Sequence, residues 1–495
     1  MIIGEKRFMT GSETRKSHSG HIPFYLIWGI VLLLISVSQG VSLSFFAVIF
    51  VWSFMLMYAL MNIKRTPMWC CFLVAFFVFL LGRQACFHYL HMEQVYDFLD
   101  ETNDETYMYL LISLAGLGIG RLFVSSRIKT PNTLAKRPSF IERWNMGVEY
   151  QLACEVVFYF SIVCSFLALF MQIRYVRSVG YITSYSSEAS GGAGIPTILW
   201  YCGKFMPAML CLYLATKPSK RRTIPVLILY EVYGILQLFT GQRYPFVGIS
   251  MFIFIYYIFR SKGEKHWVTK FKSTILIAGI PVLLLFLTTF DSIRVGKSFD
   301  PQSSLKTFAD FFVQQGGSVN TIRRTIYNAD ELKDMTLVSF STIRSAIFEN
   351  AIGRRLFSVK IYSGNSLDKA MYSNILAHRL SYIAYGDAYL TGRGTGSSYI
   401  AELLRDFGGL GVFLGSVIYG SLIVKIDQIQ FKDRLFDAIK LAMIYQLLFA
   451  PRGSFDMFIG GVFNFYTILG FCLVFVLTAM FAQYTAPTKV VSYEK

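Results

Sequence analysis

The stretch Gly392-Arg393-Gly394-Thr395-Gly396-Ser397-Ser398-Tyr399-Ile400-Ala401-Glu402 opens the apolar run 398–424. It also closes a long segment of mixed polarity, residues 290–397, in a chain whose remainder is mostly apolar. A chain that keeps one large Arg- and Tyr-rich loop on one side of a membrane has built a site there. The fold and the place of function are therefore both decided at this junction.

Working outward, 54% of the 495 residues are apolar and 17% aromatic, more than a soluble chain of this length can bury. A membrane-crossing helix needs roughly 20 apolar residues to span a ~30 Å core, and about twelve such stretches are present. They lie near 22–38, 41–61, 67–86, 107–124, 150–171, 196–215, 224–240, 244–260, 273–290, 398–424, 438–450 and 455–481. The expected fold is an all-α, polytopic bundle: one membrane domain over 1–495 with a single extracytoplasmic insertion, 290–397, between spans nine and ten. The first 20 residues show no cleavable signal pattern, so the first span is itself the membrane signal.

The net charge of +17 suggests nucleic acid only until its distribution is read. Basic loops recur after alternate spans: Lys64-Arg65, Arg127 to Arg143, Lys217 to Arg222, Arg260 to Lys272 and Lys425 to Lys440. The intervening Glu93–Glu105 stretch has no Lys or Arg. The positive-inside rule puts the basic loops and both termini in the cytoplasm and the 290–397 loop outside. The eight cysteines fall within spans or at their ends, with no metal spacing and no disulfide framework.

Within the loop, Leu305, Phe308 and Phe312 stand at helical spacing, as do Phe340, Ile343 and Ile347. These are amphipathic helices that either lie on, or dip into, the outer membrane surface or pack on each other as a small cap. Gly191-Gly192-Ala193-Gly194 and Gly392, Gly394 and Gly396 mark hinges, or places of close backbone approach.

Several chemistries are excluded. Gly296-Lys297-Ser298 lacks the upstream glycine of a phosphate-binding loop, Asp291 standing in its place. No metal cluster or serine-hydrolase elbow is present, and no cofactor is called for. Arginine at the outer boundary remains: Arg243 in the tight turn Thr240-Gly241-Gln242-Arg243-Tyr244, Arg294, Arg323-Arg324, Arg379, Arg393, Arg405, and Arg452 in Ala450-Pro451-Arg452-Gly453-Ser454. Short outer turns disfavour Arg, so Arg243 and Arg452 stand out. A guanidinium grips phosphate oxygens with a planar fork, which fits a lipid-linked diphosphate sugar. Ordinary phospholipid headgroups and snorkelling anchors are the competing explanation.

Glu402 and Asp406, with Arg405 between them, share the outer end of the tenth span. They form either an ion-pair network or a base that orients an acceptor hydroxyl. His378, the loop's single histidine, is a rival base, because its ordinary pKa suits the task. Tyr382, Tyr389 and Tyr399 belong to a tyrosine cluster that suits either a membrane interface or the faces of sugars.

Leu380-Ser381-Tyr382-Ile383 to Tyr389, Gly394 to Glu402, Asp406-Phe407-Gly408 and Gly411-Val412 together resemble the Wzy-type polysaccharide polymerases of bacteria. Phe311-Phe312 with Gln315-Gly316, Ser318 and Asn320, the Gly241–Arg243 turn and Arg452 resemble them too. The similarity covers spans six to twelve, whereas the first five match in hydrophobicity alone. Leu403-Leu404-Arg405 departs from the aromatic-rich stretch that follows the Glu in relatives.

The resemblance implies a GT-C-type glycosyltransferase of the bacterial cytoplasmic membrane. Such an enzyme moves a growing glycan from undecaprenyl diphosphate onto a new lipid-linked repeat unit, alongside a flippase and a chain-length regulator. On this reading Arg243, Arg294 and Arg452, with Arg393 and Arg379, hold the diphosphate. Glu402 or His378, beside Arg405, handles the acceptor, and Tyr382, Tyr389 and Tyr399 meet sugar. A ligase that transfers finished glycan to a different acceptor, and a flippase or transporter, are the alternatives. The latter would need charges along the middle of its helices.

Overall fold

Long apolar runs broken by Gly, Pro and short polar turns leave the backbone one economical choice, which is to satisfy its hydrogen bonds within helices. The computed structural model describes residues 22–92, 98, 100–126, 147–180, 183–185, 194–262, 304–349, 351–362 and 364–485. Among them no β-strand forms.

The principal helices are α1 (Ile22–Ser38), α2 (Leu43–Met61), α3 (Pro67–Leu90), α4 (Asp100–Ser126), α5 (Val148–Val179), α6 (Thr197–Ala215), α7 (Lys220–Thr240) and α8 (Tyr244–Ser261). After them come α9 (Ser304–Gln315), α10 (Ser318–Tyr327), α11 (Ser341–Phe348), α12 (Leu376–Tyr385), α13 (Tyr399–Asp427), α14 (Arg434–Leu448) and α15 (Met457–Tyr484). Among the described residues nine are long and apolar enough to cross a membrane: α2 to α8, α13 and α15. The 17 residues of α1 and the 15 of α14 are shorter. The expected span 273–290 lies outside the described residues, as do Arg294 and Gly296-Lys297-Ser298.

Burial orders the bundle. In α3, 78% of the apolar window is enclosed, against 17% in α15, so α3 is central and α15 peripheral. A helix apolar on all sides belongs inside. Residues Phe77–Leu81 of α3 form a π-helical turn, a local widening that recurs at functional sites.

Helices α4 and α13 approach each other closely, and small residues allow it. A methyl group on Gly116, Gly120 or Gly420 would overlap the carbonyl of Phe413, Val417 or Leu117. Close approach through small residues is how helices associate where no hydrophobic drive separates protein from lipid. Ser113 Oγ lies 2.5 Å from Tyr399 Oη and 2.9 Å from Ser416 Oγ, so this dry interface is also hydrogen-bonded. Gly408 interrupts α13 with φ 63° and ψ −158°, a conformation that favours glycine.

The loop helices α9 and α10 do not pack on each other alone as a small cap. Instead α9 lies against α3, with the Phe312 and Phe77 rings 5.6 Å apart and Gly82 leaving room for Phe312. Gly316 then brings the chain onto Arg83, whose Cβ would stand 2.5 Å from any methyl placed there. Helix α10 wedges between α4 and α13 and buries Arg323, which donates to Asn320 Oδ1 at 3.0 Å. The cause lies in the spans. They carry polar groups such as Arg83 and Tyr107 that need partners, and α9 and α10 supply them. Only part of the predicted apolar face is exposed: Phe340 and Ile347 point outward.

Candidate active site

Three turns meet at the end of the bundle that carries α9 to α12. The first joins α7 to α8, where Gly241 takes φ 82° and Arg243 stands at the N-cap of α8 ahead of Tyr244 and Pro245. The second, Ala450–Arg452, is a 3₁₀ turn that presents Arg452 to solvent. The third is the glycine-rich approach to α13, where Gly396 has φ 76° and faces the Arg452 carbonyl at ordinary contact distance.

Aromatic packing holds these turns together. Phe449 lies 5.7 Å from Phe79 and 5.8 Å from Tyr244, so the Arg243 and Arg452 turns flank one ring. Phe246 of α8 shares a cluster with Phe311 of α9. The guanidinium of Arg452 sits 5.8 Å over the Phe79 ring, in the π-helical turn of α3. Its Nη1 donates to Gln315 Oε1 at 2.9 Å. An exposed guanidinium with one nitrogen anchored and a ring beneath it is aimed rather than trailing.

A second set of contacts ties the approach loop to α12. Thr395 N–H donates to Ser381 Oγ at 2.9 Å, and His378 stands one turn before Ser381. His378 Nδ1 is 3.0 Å from Tyr389 Oη. Burial, with the Lys369 ammonium as a smaller cause, pushes the His378 imidazole down to about 4. The ring is therefore neutral at neutral pH.

The other sequence candidates lie as follows. Glu402, the expected acceptor residue, is fully buried: Oε1 accepts from Ser397 Oγ at 2.7 Å and Oε2 from the Phe455 N–H at 2.8 Å. It holds the Arg452 turn against the start of α13. Arg405 and Asp406 form a loose ion pair at 3.9 Å, and each makes closer contacts elsewhere. Arg405 donates to the carbonyls of Leu332, Lys333 and Met335. Asp406 accepts from the N–H groups of Val338 and Ser339. The two clamp the 332–339 segment to α13.

Arg379 is buried in a contact with Asp334 and the Met371 carbonyl, apart from the arginine turns. Tyr389 and Tyr399 are wholly buried, and Tyr399 packs 4.8 Å from Tyr419 inside the bundle, so neither offers a face to sugar. Tyr382 is half-buried, and Arg393 is exposed beside the glycines.

Sequence reasoning missed three contributors. Gln315 stands in the sequence as one residue of a motif, with no sign that it meets Arg452. Arg83 lies inside an apolar span and donates to the Val313 carbonyl at 3.0 Å, where a charge should have drawn notice. Asp456 is buried and accepts from the Ile343 N–H at 2.6 Å, joining α11 to the last span. Among the described residues no group of three or more His, Cys, Asp or Glu could hold a metal ion.

A family model described as O-antigen polysaccharide polymerase Wzy matches residues 21–485. No curated protein and no solved structure matches the chain.

Proposed function

The chain belongs to the O-antigen polysaccharide polymerase family of integral membrane glycosyltransferases, and from that premise we propose how its exposed arginines act. The substrate is a glycan on undecaprenyl diphosphate, presented at the outer face of the bacterial cytoplasmic membrane. An acceptor hydroxyl on a second lipid-linked unit attacks the anomeric carbon. The new glycosidic C–O bond forms as the bond to the diphosphate oxygen breaks. Undecaprenyl diphosphate leaves with the electron pair, and the acceptor proton passes to solvent.

Negative charge grows on the leaving diphosphate, and the protein must meet it there. Arg452, oriented by Gln315, and Arg243 across Phe449 are suited to that. Arg393, exposed next to Gly394, is a third contact, and Arg294 stays a candidate from sequence. His378 is the acceptor orienter. If Nδ1–H donates to Tyr389 Oη, Nε2 remains free to accept the sugar hydroxyl. Glu402 and Arg405 are positioning residues, and Tyr382 is the remaining tyrosine for sugar.

The basic loops support cytoplasmic termini, and residues 290–397 then form the external insertion. A flippase and a chain-length regulator are the expected partners of such a route, and the GT-C grouping rests on the resemblance stated above.

The observation that carries this reading is the anchored, solvent-facing Arg452. The test uses the full chain in liposomes with one lipid-linked repeat unit and no other protein. A ladder of products that Arg452→Ala abolishes supports the proposal, and an unchanged single band overturns it.

A further inference from the structure

A cavity of about 560 Å³ opens among α5, α6, α7, α8, α14 and the start of α15. Its size is that of a small-molecule site. Gln242 and Tyr244 of the Arg243 turn form part of its wall, so it adjoins the arginine site behind Tyr244 and Tyr445. The rest of its lining mixes apolar and aromatic side chains such as Leu169, Pro207 and Tyr233 with polar ones such as Gln172, Gln237 and Asn464.

Lys204 projects into this space. It stands seven residues after Thr197, about 10 Å along α6 at 1.5 Å per residue, inside a helix long enough to cross a membrane. Its ammonium lies 5.0 Å from the Trp200 ring, and among the described residues it has no carboxylate partner. A cation within a span is costly and marks a function by default. On the same wall, the buried Oε1 of Gln446 has no hydrogen-bond partner. A buried polar atom of this kind calls for water or a ligand.

We propose that this cavity binds the phosphate end of a polyprenyl lipid, with Lys204 and the polar side chains on the phosphate and the apolar side chains around the first isoprene units. The inference rests on the polymerase reading, because joining two lipid-linked units requires two lipid diphosphates to be held at once. The arginine turns take one, and the cavity next door takes the other. A glycerophospholipid headgroup offers the same phosphate chemistry, but its two chains leave the headgroup side by side, whereas a polyprenyl lipid threads a single chain.

The test uses the full chain in nanodiscs and a polyprenyl diphosphate with a photoreactive group in its second isoprene unit, the labelled peptides being mapped. Labelling of α6 and α14 at cavity residues is expected. Lys204→Gln should weaken it about tenfold or more, the scale of one lost charged contact, and Lys204→Arg should restore it. An unchanged elution profile and melting curve for Lys204→Gln shows that the loss is local. Competition by unlabelled polyprenyl diphosphate supports the site. Equal competition by phosphatidylglycerol overturns it in favour of an ordinary headgroup pocket. A wild-type protein that labels here but forms no polymer defeats the polymerase reading alone. A protein that polymerises, with Lys204→Gln at wild-type rate and KM, defeats the cavity alone.

Discussion

Replacing Glu402 by Gln and by Ala separates a positioning carboxylate from a chemical one. Both oxygens are engaged in a site without solvent, Oε1 with Ser397 Oγ and Oε2 with the Phe455 N–H. In Glu402→Gln the amide oxygen can keep the Phe455 N–H. The amide nitrogen can donate to Ser397 Oγ, whose own hydrogen rotates away. The loss is then about 1 kcal/mol, the difference between a charge-assisted bond and a neutral one. Glu402→Ala leaves a buried hydroxyl and a buried N–H unmet at about 1–3 kcal/mol each, a total of roughly 2–6 kcal/mol. It also frees the Arg452 turn from α13. The expected outcome is a Gln variant close to wild type in melting temperature and polymer yield, and an Ala variant lowered in both. Thermal unfolding of the purified protein, run beside the liposome ladder assay, reads the two quantities. A Gln variant with an unchanged melting curve and a polymerisation rate reduced a hundredfold or more (the order of a lost catalytic group) would refute the positioning argument and restore Glu402 as a base.

Arg452→Ala should lower the polymerisation rate by ~10²–10³, the usual loss for one preorganised charge, and Arg452→Lys should recover only part because it lacks the fork held by Gln315. Arg405→Ala should accelerate amide exchange across 332–340, read by mass spectrometry, while α4 and the inner part of α13 stay protected. His378 adds a pH dependence of stability. Its folded pKa, about 4, lies below the ordinary value of 6.5, so between the two the unfolded chain binds the extra proton. This stability is fully present above pH 6.5 and is lost as pH falls towards 4. In His378→Asn that part of the melting-temperature slope should disappear.

Sequence patterning revealed nine of the twelve expected spans among the described residues because each is a long, mostly apolar run, and it singled out Arg243 and Arg452 because they stand in short turns that it reads as external. The same sequence placed Glu402, Arg405 and Asp406 correctly on one helix end but could not show what they touch. Their partners are distant in sequence: Phe455 is 53 residues from Glu402, and Leu332 is 73 from Arg405. Three neighbouring charges on a helix look like an ion-pair network when local spacing is the only guide. Lys204 was overlooked for the opposite reason. One charge in an apolar run barely alters the average over a window, although its cost in lipid is concentrated on that single residue.

Gly408 divides α13 into pieces with different attachments. Before it, Glu402, Arg405 and Asp406 fasten residues 399–407 to the 332–339 segment and the Arg452 turn. After it, Gly420 and Ser416 lock residues 409–427 to α4. The first piece is held to α4 as well, because Tyr399 reaches Ser113, so the two pieces share one support and differ in what else they carry. A side chain at position 408 is strained at φ 63°, so a substitution there falls on both sets of attachments at once.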